Sequence, residues 1–235
     1  IDLLRGEFPL QLALSAEARA LALFGASGCG KTTTLHAIAG LLKPARGRIA
    51  LDGRVLFDAR AGIDLPPARR RLGVVFQDVR LFPHLNVRDN LRYGAPRAQT
   101  GARFDAAVQL LGLASLLARK PGQLSGGQAR RVAIGRALLS EPAALLLDEP
   151  LSNLHREARA EVLGHLRGLK RELALTTILV SHQADEVRAL ADAVALIDDG
   201  RLRSLLTVAQ FGDAADTVTP AGAVELAPAH PAMER

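Results

Sequence analysis

The eight residues GASGCGKT, Gly25 to Thr32, constrain this chain more than any other stretch. They follow the apolar run Arg19 to Phe24, which reads as a strand, and precede a helical pattern from about Lys31 to Leu42. Pro44 marks the end of that helix, because proline cannot supply the next helical hydrogen bond. A strand that turns through glycines straight into a helix leaves backbone amides free to converge, and the helix start adds positive potential. The spacing satisfies the phosphate-loop pattern in the context the pattern requires. Gly25, Ser27, Gly28, Cys29, Gly30, Lys31, Thr32 and Thr33 are then the phosphate-binding candidates. Lys31 would reach the β- and γ-phosphates of ATP as a point charge, and the hydroxyl of Thr32 would ligate Mg2+. Cys29 reads as a small space-filler, although alkylation there is expected to block nucleotide binding and ATP to protect.

The rest of the chain must supply a frame for that loop. Leu10, Leu12 and Leu14 alternate as on a half-buried strand, and Asp52-Gly53 between Ile49, Leu51 and Val55, Phe57 is a two-residue hairpin signal. Gly73 to Phe76 is a further short strand. From about Leu85 to Ser140 the spacing becomes helical, with Phe104, Val108 and Leu111 on one face and Val132 opening another helix after a glycine pair. Strand signals resume at Ala144 to Leu147, Thr177 to Val180 and Val194 to Ile197, around a helix that aligns Val162, Leu166, Leu169 and Leu173. Alternating strands and helices predict an α/β fold with a mostly parallel sheet covered on both faces. An antiparallel β subdomain and an inserted helical subdomain, about 78–140, accompany it. Residues 1–212 are expected to form this one domain, and the Ala- and Pro-rich stretch 213–235 a disordered tail.

Bulk properties exclude several function classes. The longest apolar runs, such as Ala143 to Leu147, are strand-sized, so a membrane role would require a spanning partner. A single cysteine forms no internal disulfide, which fits a reducing compartment. The net charge of +6 could suggest nucleic acid, but the basic residues are scattered, with clusters only at Arg69-Arg70-Arg71 and Arg130-Arg131. With aromatic residues at 3%, stacking partners are scarce, so these arginines are expected on a solvated surface and no nucleic-acid partner is expected.

Ala144 to Glu149 is an apolar strand ending in two carboxylates, which sets an acid beside a metal at the sheet's C-terminal edge. Asp148 is the candidate Mg2+ holder and Glu149 the candidate general base for an attacking water. His182, after Thr177 to Val180, is ambiguous by itself, since a lone histidine at a strand end is usually structural.

LSGGQ, Leu124 to Gln128, resembles the signature of ATP-binding cassette (ABC) proteins and stands between the phosphate loop and the acidic strand, as in that family. Gln77 in VVFQ resembles the family's Q-loop glutamine and His182 in VSHQ its switch histidine; the resemblance covers about residues 10–205. It implies a P-loop NTPase (RecA-like) core and an ATPase that works as a head-to-tail homodimer. Ser125, Gly126, Gly127 and Gln128 of one chain would complete the ATP site of the other. It also implies that Glu149 activates water, that His182 positions it, and that Gln77 touches the metal and reports nucleotide state to the helical subdomain. One position departs from the pattern: where the family's D-loop usually has aspartate after Ser-x-Leu, this chain has His155, and altered cooperativity is expected. The adenine-stacking aromatic is normally upstream of the phosphate loop, where Phe8 is the only nearby candidate and could equally be core.

Leu65 to Gly94, with GRVLFD before it, resembles most closely the ATP-binding subunits of molybdate importers, although importers for iron(III), sulfate, phosphate, thiamine or polyamines share much of it. The implied setting is the cytoplasmic face of the inner membrane, peripheral, with transmembrane permease subunits and, indirectly, an extracytoplasmic solute-binding protein as partners. The stretch after Gly212 is too short for the oxyanion-binding regulatory domain common in the molybdate group. A soluble cassette acting on nucleic acid would be expected to carry a long coiled coil or a second cassette, and neither is visible. A non-hydrolysing, nucleotide-sensing subunit is the other alternative; Glu149 and His182 oppose it and His155 keeps it open.

Overall fold

The computed structural model describes residues 1–5, 8–95 and 101–215. A short antiparallel pair, β1 (Asp2–Arg5) and β2 (Phe8–Gln11), comes first. The strand β3 (Ala20–Phe24) then runs through the glycine loop into α1 (Lys31–Ala39). An antiparallel sheet of β4 (Arg48–Leu51), β5 (Arg54–Asp58) and β6 (Ile63–Asp64) follows, then α2 (Pro67–Arg70) and β7 (Leu72–Val75). The helical part comprises α3 (Val87–Arg92), α4 (Ala102–Leu110) and α5 (Gly126–Leu139), with two single 3-10 turns before α5. The chain then returns to the main sheet as β8 (Ala144–Asp148), α6 (Arg156–Glu172), β9 (Thr176–Ser181), α7 (Ala184–Leu190), β10 (Ala193–Asp198), β11 (Arg201–Thr207) and α8 (Val208–Ala215).

The main sheet has the order β11-β10-β3-β9-β8-β7, and every pairing in it is parallel except β10 with β11. Parallel registration brings the strand ends together: Phe24 lies beside Ser181, Asp148 beside Val180, and Val75 beside Leu147. The residues just past these ends are Gly25, His182, Glu149 and Phe76-Gln77. Strand order alone therefore gathers four predicted site segments on one edge, where open α/β sheets bind ligands.

Both faces of the sheet are covered, which explains the unbroken apolar run on β8. Leu146 packs on the side of Leu23, Leu35 and Ile178, whereas Leu145 and Leu147 pack with Ile134, Val162, Leu166 and Leu179. Period-two alternation thus sends each leucine into one of two cores, and all five residues of β8 are buried. Shortening Leu146, fully buried, to alanine should cost about 2–5 kcal/mol.

Several expectations shift on the structure. α1 stops at Ala39 rather than Leu42, because Gly40 takes a left-handed φ of 79° and the amides of Leu41 and Leu42 both fold back to the His36 carbonyl. The expected hairpin forms, with positive φ at both Asp52 (47°) and Gly53 (76°). Leu173, aligned with the buried face of α6, caps the helix instead and is 40% exposed. α8 carries the chain to Ala215, so the first three residues of the expected tail are helical; 216–235 lies outside the described residues.

The arginine clusters are the largest correction. Arg70, Arg130 and Arg131 are buried, not solvated. Arg70 is 1% exposed and donates from Nη1 to the carbonyls of Ala37 (2.7 Å) and Ile38 (2.8 Å), from Nε to Leu65 O (2.7 Å), and from Nη2 to Asp64. It finishes the C-terminal end of α1 with a side chain from the antiparallel subdomain. Arg131 likewise donates to Leu111 O and Gly112 O and pairs with Glu161. A planar fork of donors can satisfy several carbonyls at once, which suits arginine to these buried positions. Among the described residues, no helix is long and apolar enough to cross a membrane.

Candidate nucleotide site

The glycine loop is shaped by φ of 105° at Gly30, the residue before α1, a left-handed value that a side chain would resist. The loop is held from outside by the turn after β10, where Gly200 N donates to Cys29 O at 3.0 Å. Lys31, 4% exposed, folds over the loop and donates from Nζ to Gly25 O (2.8 Å) and Ala26 O (2.6 Å). Ser27 and Gly28 are exposed at the crown of the loop, and Thr33 is buried on α1. Cys29 is 6% exposed, and burial pushes its thiol pKa up against the opposing pull of Lys31. Its burial is in line with a space-filling side chain, and alkylation at this position is expected to be slow because both access and thiolate are limited. Phe8 is half-buried, and a Cβ placed on Gly30 would lie 3.2 Å from its ring. Its ring therefore stands against the loop, where the two readings of Phe8 meet.

Thr32 Oγ1 donates to Asp148 Oδ1 at 2.9 Å, joining the loop to the end of β8. Asp148 is 2% exposed, and burial raises its carboxyl pKa, an effect opposed by the Thr32 hydroxyl, His36 and Lys31. His36 Nε2 lies 3.9 Å from the other carboxylate oxygen. Two hard oxygen donors side by side suit Mg2+, which takes one or two protein oxygens and completes its shell with phosphate and water. No cluster of three or more His, Cys, Asp or Glu with metal-site geometry occurs among the described residues. Gln77, the third predicted metal ligand, donates from Nε2 to Glu149 Oε2 at 3.3 Å.

Glu149 leaves β8 in a left-handed turn, φ 43°, with its amide bonded to Val180 O at 3.0 Å and its carbonyl receiving Ser152 N and Oγ. Such a backbone is uncommon for a non-glycine residue and turns the carboxylate away from the strand direction. Its Oε1 lies 3.2 Å from His182 Nδ1 while Oε2 takes the Gln77 amide. The structure thus brings together Gln77, Glu149 and His182 from three separate strand ends. Arg130 adds a support that sequence does not announce: it is 2% exposed and donates to Phe76 O (2.6 Å) and Gln77 O (2.7 Å), fixing the backbone from which Gln77 projects.

The signature residues are placed differently. Ser125 caps α5, accepting from Gln128 N (3.3 Å), while Gln128 Oε1 accepts from Ser125 N (3.1 Å). Gly127 is buried against α6, where an added Cβ would sit 3.1 Å from Ala158 Cβ, and Gly126 faces Leu154. Ser125 and Gly126 are exposed. His155 is the exposed residue preceding α6 and makes no side-chain capping bond.

Comparison with known proteins agrees with this geometry. A family model described as ABC transporter matches residues 10–152. The molybdenum import ATP-binding protein ModC of Paramagnetospirillum magneticum is 52% identical over 207 residues, 86% of this chain and 57% of that protein. ModC of Brucella melitensis is 48% identical over 223 residues, 94% of this chain and 62% of that protein. The chain therefore spans little more than half the length of the curated relatives it matches. Among solved structures, cbiO1 from Clostridium perfringens, part of an ABC transporter complex, superposes with a TM-score of 0.73 at 29% identity, covering 87% of this chain and 83% of its own. A bacterial ABC transporter cassette solved as a dimer gives a TM-score of 0.71 at 26% identity, with 88% and 95% coverage. With its glycine loop, acidic strand and LSGGQ helix start in one sheet-edge arrangement, and a family match across more than half its length, the chain belongs to the ABC transporter family.

Proposed function

We propose that the chain is the ATP-hydrolysing subunit of a bacterial molybdate importer, working as a head-to-tail homodimer on transmembrane permease subunits at the cytoplasmic face of the membrane. The observation that carries the ATPase reading is the carboxylate of Glu149 held between Gln77 and His182, one residue from the Thr32–Asp148 contact. The solute reading is supported by the similarity to molybdenum import ATP-binding proteins at about half identity.

In this mechanism the amides of Gly28 to Thr32 and the start of α1 bind the phosphates, and Lys31 turns from the carbonyls of Gly25 and Ala26 to the β- and γ-phosphates. Thr32 and Asp148 are the residues that would hold Mg2+, which when bound screens phosphate charge. Glu149 accepts the proton of a water aligned with the γ-phosphate, and His182, bonded to Glu149 through Nδ1, orients water and phosphate. Ser125 and Gly127 of the second copy approach the same phosphate from the free end of α5, whose dipole favours the anion. Dimer closure on ATP and reopening after hydrolysis would then be passed to the permease through the segment after Gln77.

Glu149→Gln should hydrolyse ATP at least about a hundredfold more slowly and accumulate as an ATP-bound dimer on size exclusion. Undiminished turnover would remove Glu149 from the role of base. For the solute, the protein reconstituted with its permease in liposomes should be stimulated by molybdate-loaded binding protein and not by sulfate-loaded protein. Stimulation by sulfate alone would overturn the molybdate reading and leave the ATPase reading intact.

A further inference from the structure

His182 is 45% exposed at its side chain, and beside it lies a polar cavity of about 350 Å3 bordered by Glu149, Ser152, Arg159, Gln183 and Glu186. Packing therefore does not fix the imidazole on that side, and something else must. The two residues that flank it are both tied to one ion pair. Glu186, 3% exposed, accepts from Ser181 Oγ at 2.7 Å through Oε2 and pairs with Arg159 Nη2 at 3.0 Å through Oε1. The same Nη2 reaches Gln183 Oε1 at 3.1 Å, and Ser181 Oγ also receives Gln183 N at 3.0 Å.

We propose that Arg159 is a positioning residue of the catalytic site: by holding Glu186 and Gln183 it fixes both neighbours of His182, and so sets the imidazole against Glu149. This rests on the reading of Glu149 and His182 as the catalytic pair. Arg159 stands on the first turn of α6, its amide bonded to His155 O at 2.9 Å, so it is one helical turn from the residue at the D-loop position. The same turn carries Ala158, against which Gly127 of the signature packs. A shift of α6 thus moves the anchor of His182, which makes Arg159 the route by which contact at the D-loop reaches the water-orienting histidine. Burial raises the Glu186 carboxyl pKa while Ser181 and Arg159 pull it down. Without its cation that carboxylate has an incentive to swing out, which releases Ser181, or to protonate, which weakens the bond by leaving Ser181 a neutral acceptor.

The test is single-turnover and steady-state ATP hydrolysis by the full chain assembled with its permease. Arg159→Ala should lower kcat by about tenfold while KM for ATP stays within about twofold, and Arg159→Lys, which keeps the charge, should restore most of the rate. On a His182→Ala background, Arg159→Ala should change the single-turnover rate by less than about twofold, because its route to the reaction is already cut. Glu186→Gln keeps the shape and an acceptor for Ser181, and should lower kcat by about threefold to fivefold; it decides the matter if Arg159→Ala does not fold. A kcat within about twofold of wild type for both variants, or an equal loss with and without His182, would overturn the proposal. Normal turnover by Glu149→Gln would instead overturn the underlying assignment of the site.

Discussion

The sheet edge and the start of α5 are the two halves of the proposed nucleotide site, and they are built in opposite ways. At the sheet edge the functional side chains are bonded to one another: Thr32 to Asp148, and Gln77 and His182 to Glu149. At the start of α5, the side chains of Ser125 and Gln128 bond back to each other's backbone in a capping box, and Ser125 and Gly126 face solvent. One half is assembled by the strand order of a single chain. The other is a well-formed helix terminus presented outward, which is what a site completed by a second copy requires.

The largest effect that would break this contrast is expected at Lys31. Lys31→Ala removes a cation from the loop and should weaken ATP binding by about 1.5–3 kcal/mol, roughly tenfold to hundredfold, in a fluorescent-nucleotide titration. Affinity unchanged within twofold would mean that the assembled half is not the phosphate site. Asp148→Asn comes next, and has opposite signs in two assays. Mg2+-dependent ATP binding should fall roughly tenfold, yet the ATP-free protein should melt higher near neutral pH. A carboxyl whose folded pKa is raised by burial destabilises the fold once ionised, so the gain is full above that raised pKa. It shrinks as pH falls through the window toward the ordinary carboxylate value, where the native acid is protonated too.

Ser125→Ala sharpens the contrast at the other end. Losing the cap should cost about 1 kcal/mol, read as a lower Tm without nucleotide. If Ser125 also meets the partner's phosphate, turnover in the dimer falls beyond what that loss explains. The smallest effect belongs to His155→Asp. An acceptor before α6 should add about 0.5–1 kcal/mol by capping its free amides, and ATPase cooperativity should shift; an identical Hill coefficient and rate would show that this position does not couple the two sites.

Local signals explain what was legible in the sequence. The loop from Gly25 to Thr32 and the run from Ala144 to Glu149 announce themselves because glycine spacing and strand period are short-range, and the strand order then brings Gln77 and His182 to them. The expected α/β class, hairpin and helical insertion follow from the same periods. What stayed hidden is tertiary. Nothing near Arg70, Arg130 or Arg159 in the chain tells that each guanidinium meets partners 24 to 54 residues away in sequence or, for Arg70, carbonyls 32 and 33 residues earlier. β11 was readable in part, since Asp199-Gly200 has positive φ at both residues, 44° and 71°, and joins two strands as Asp52-Gly53 does. Its alternation of exposed and half-buried residues on RLRSLLT weakens the hydrophobic pattern that would have confirmed it.

The buried guanidinium of Arg70 also dictates an order of events during synthesis. The carbonyl of Ala37 has a local donor in the Gly40 amide, but the bonds from Arg70 to Ala37 O and Ile38 O form only after residue 70 has been made and the intervening hairpin has folded back on the helix. The most recognisable segment of the chain is consequently among the earliest made and not the earliest finished. A nascent chain arrested before Arg70 should leave that helix frayed at its C-terminal end, and one released just beyond should not.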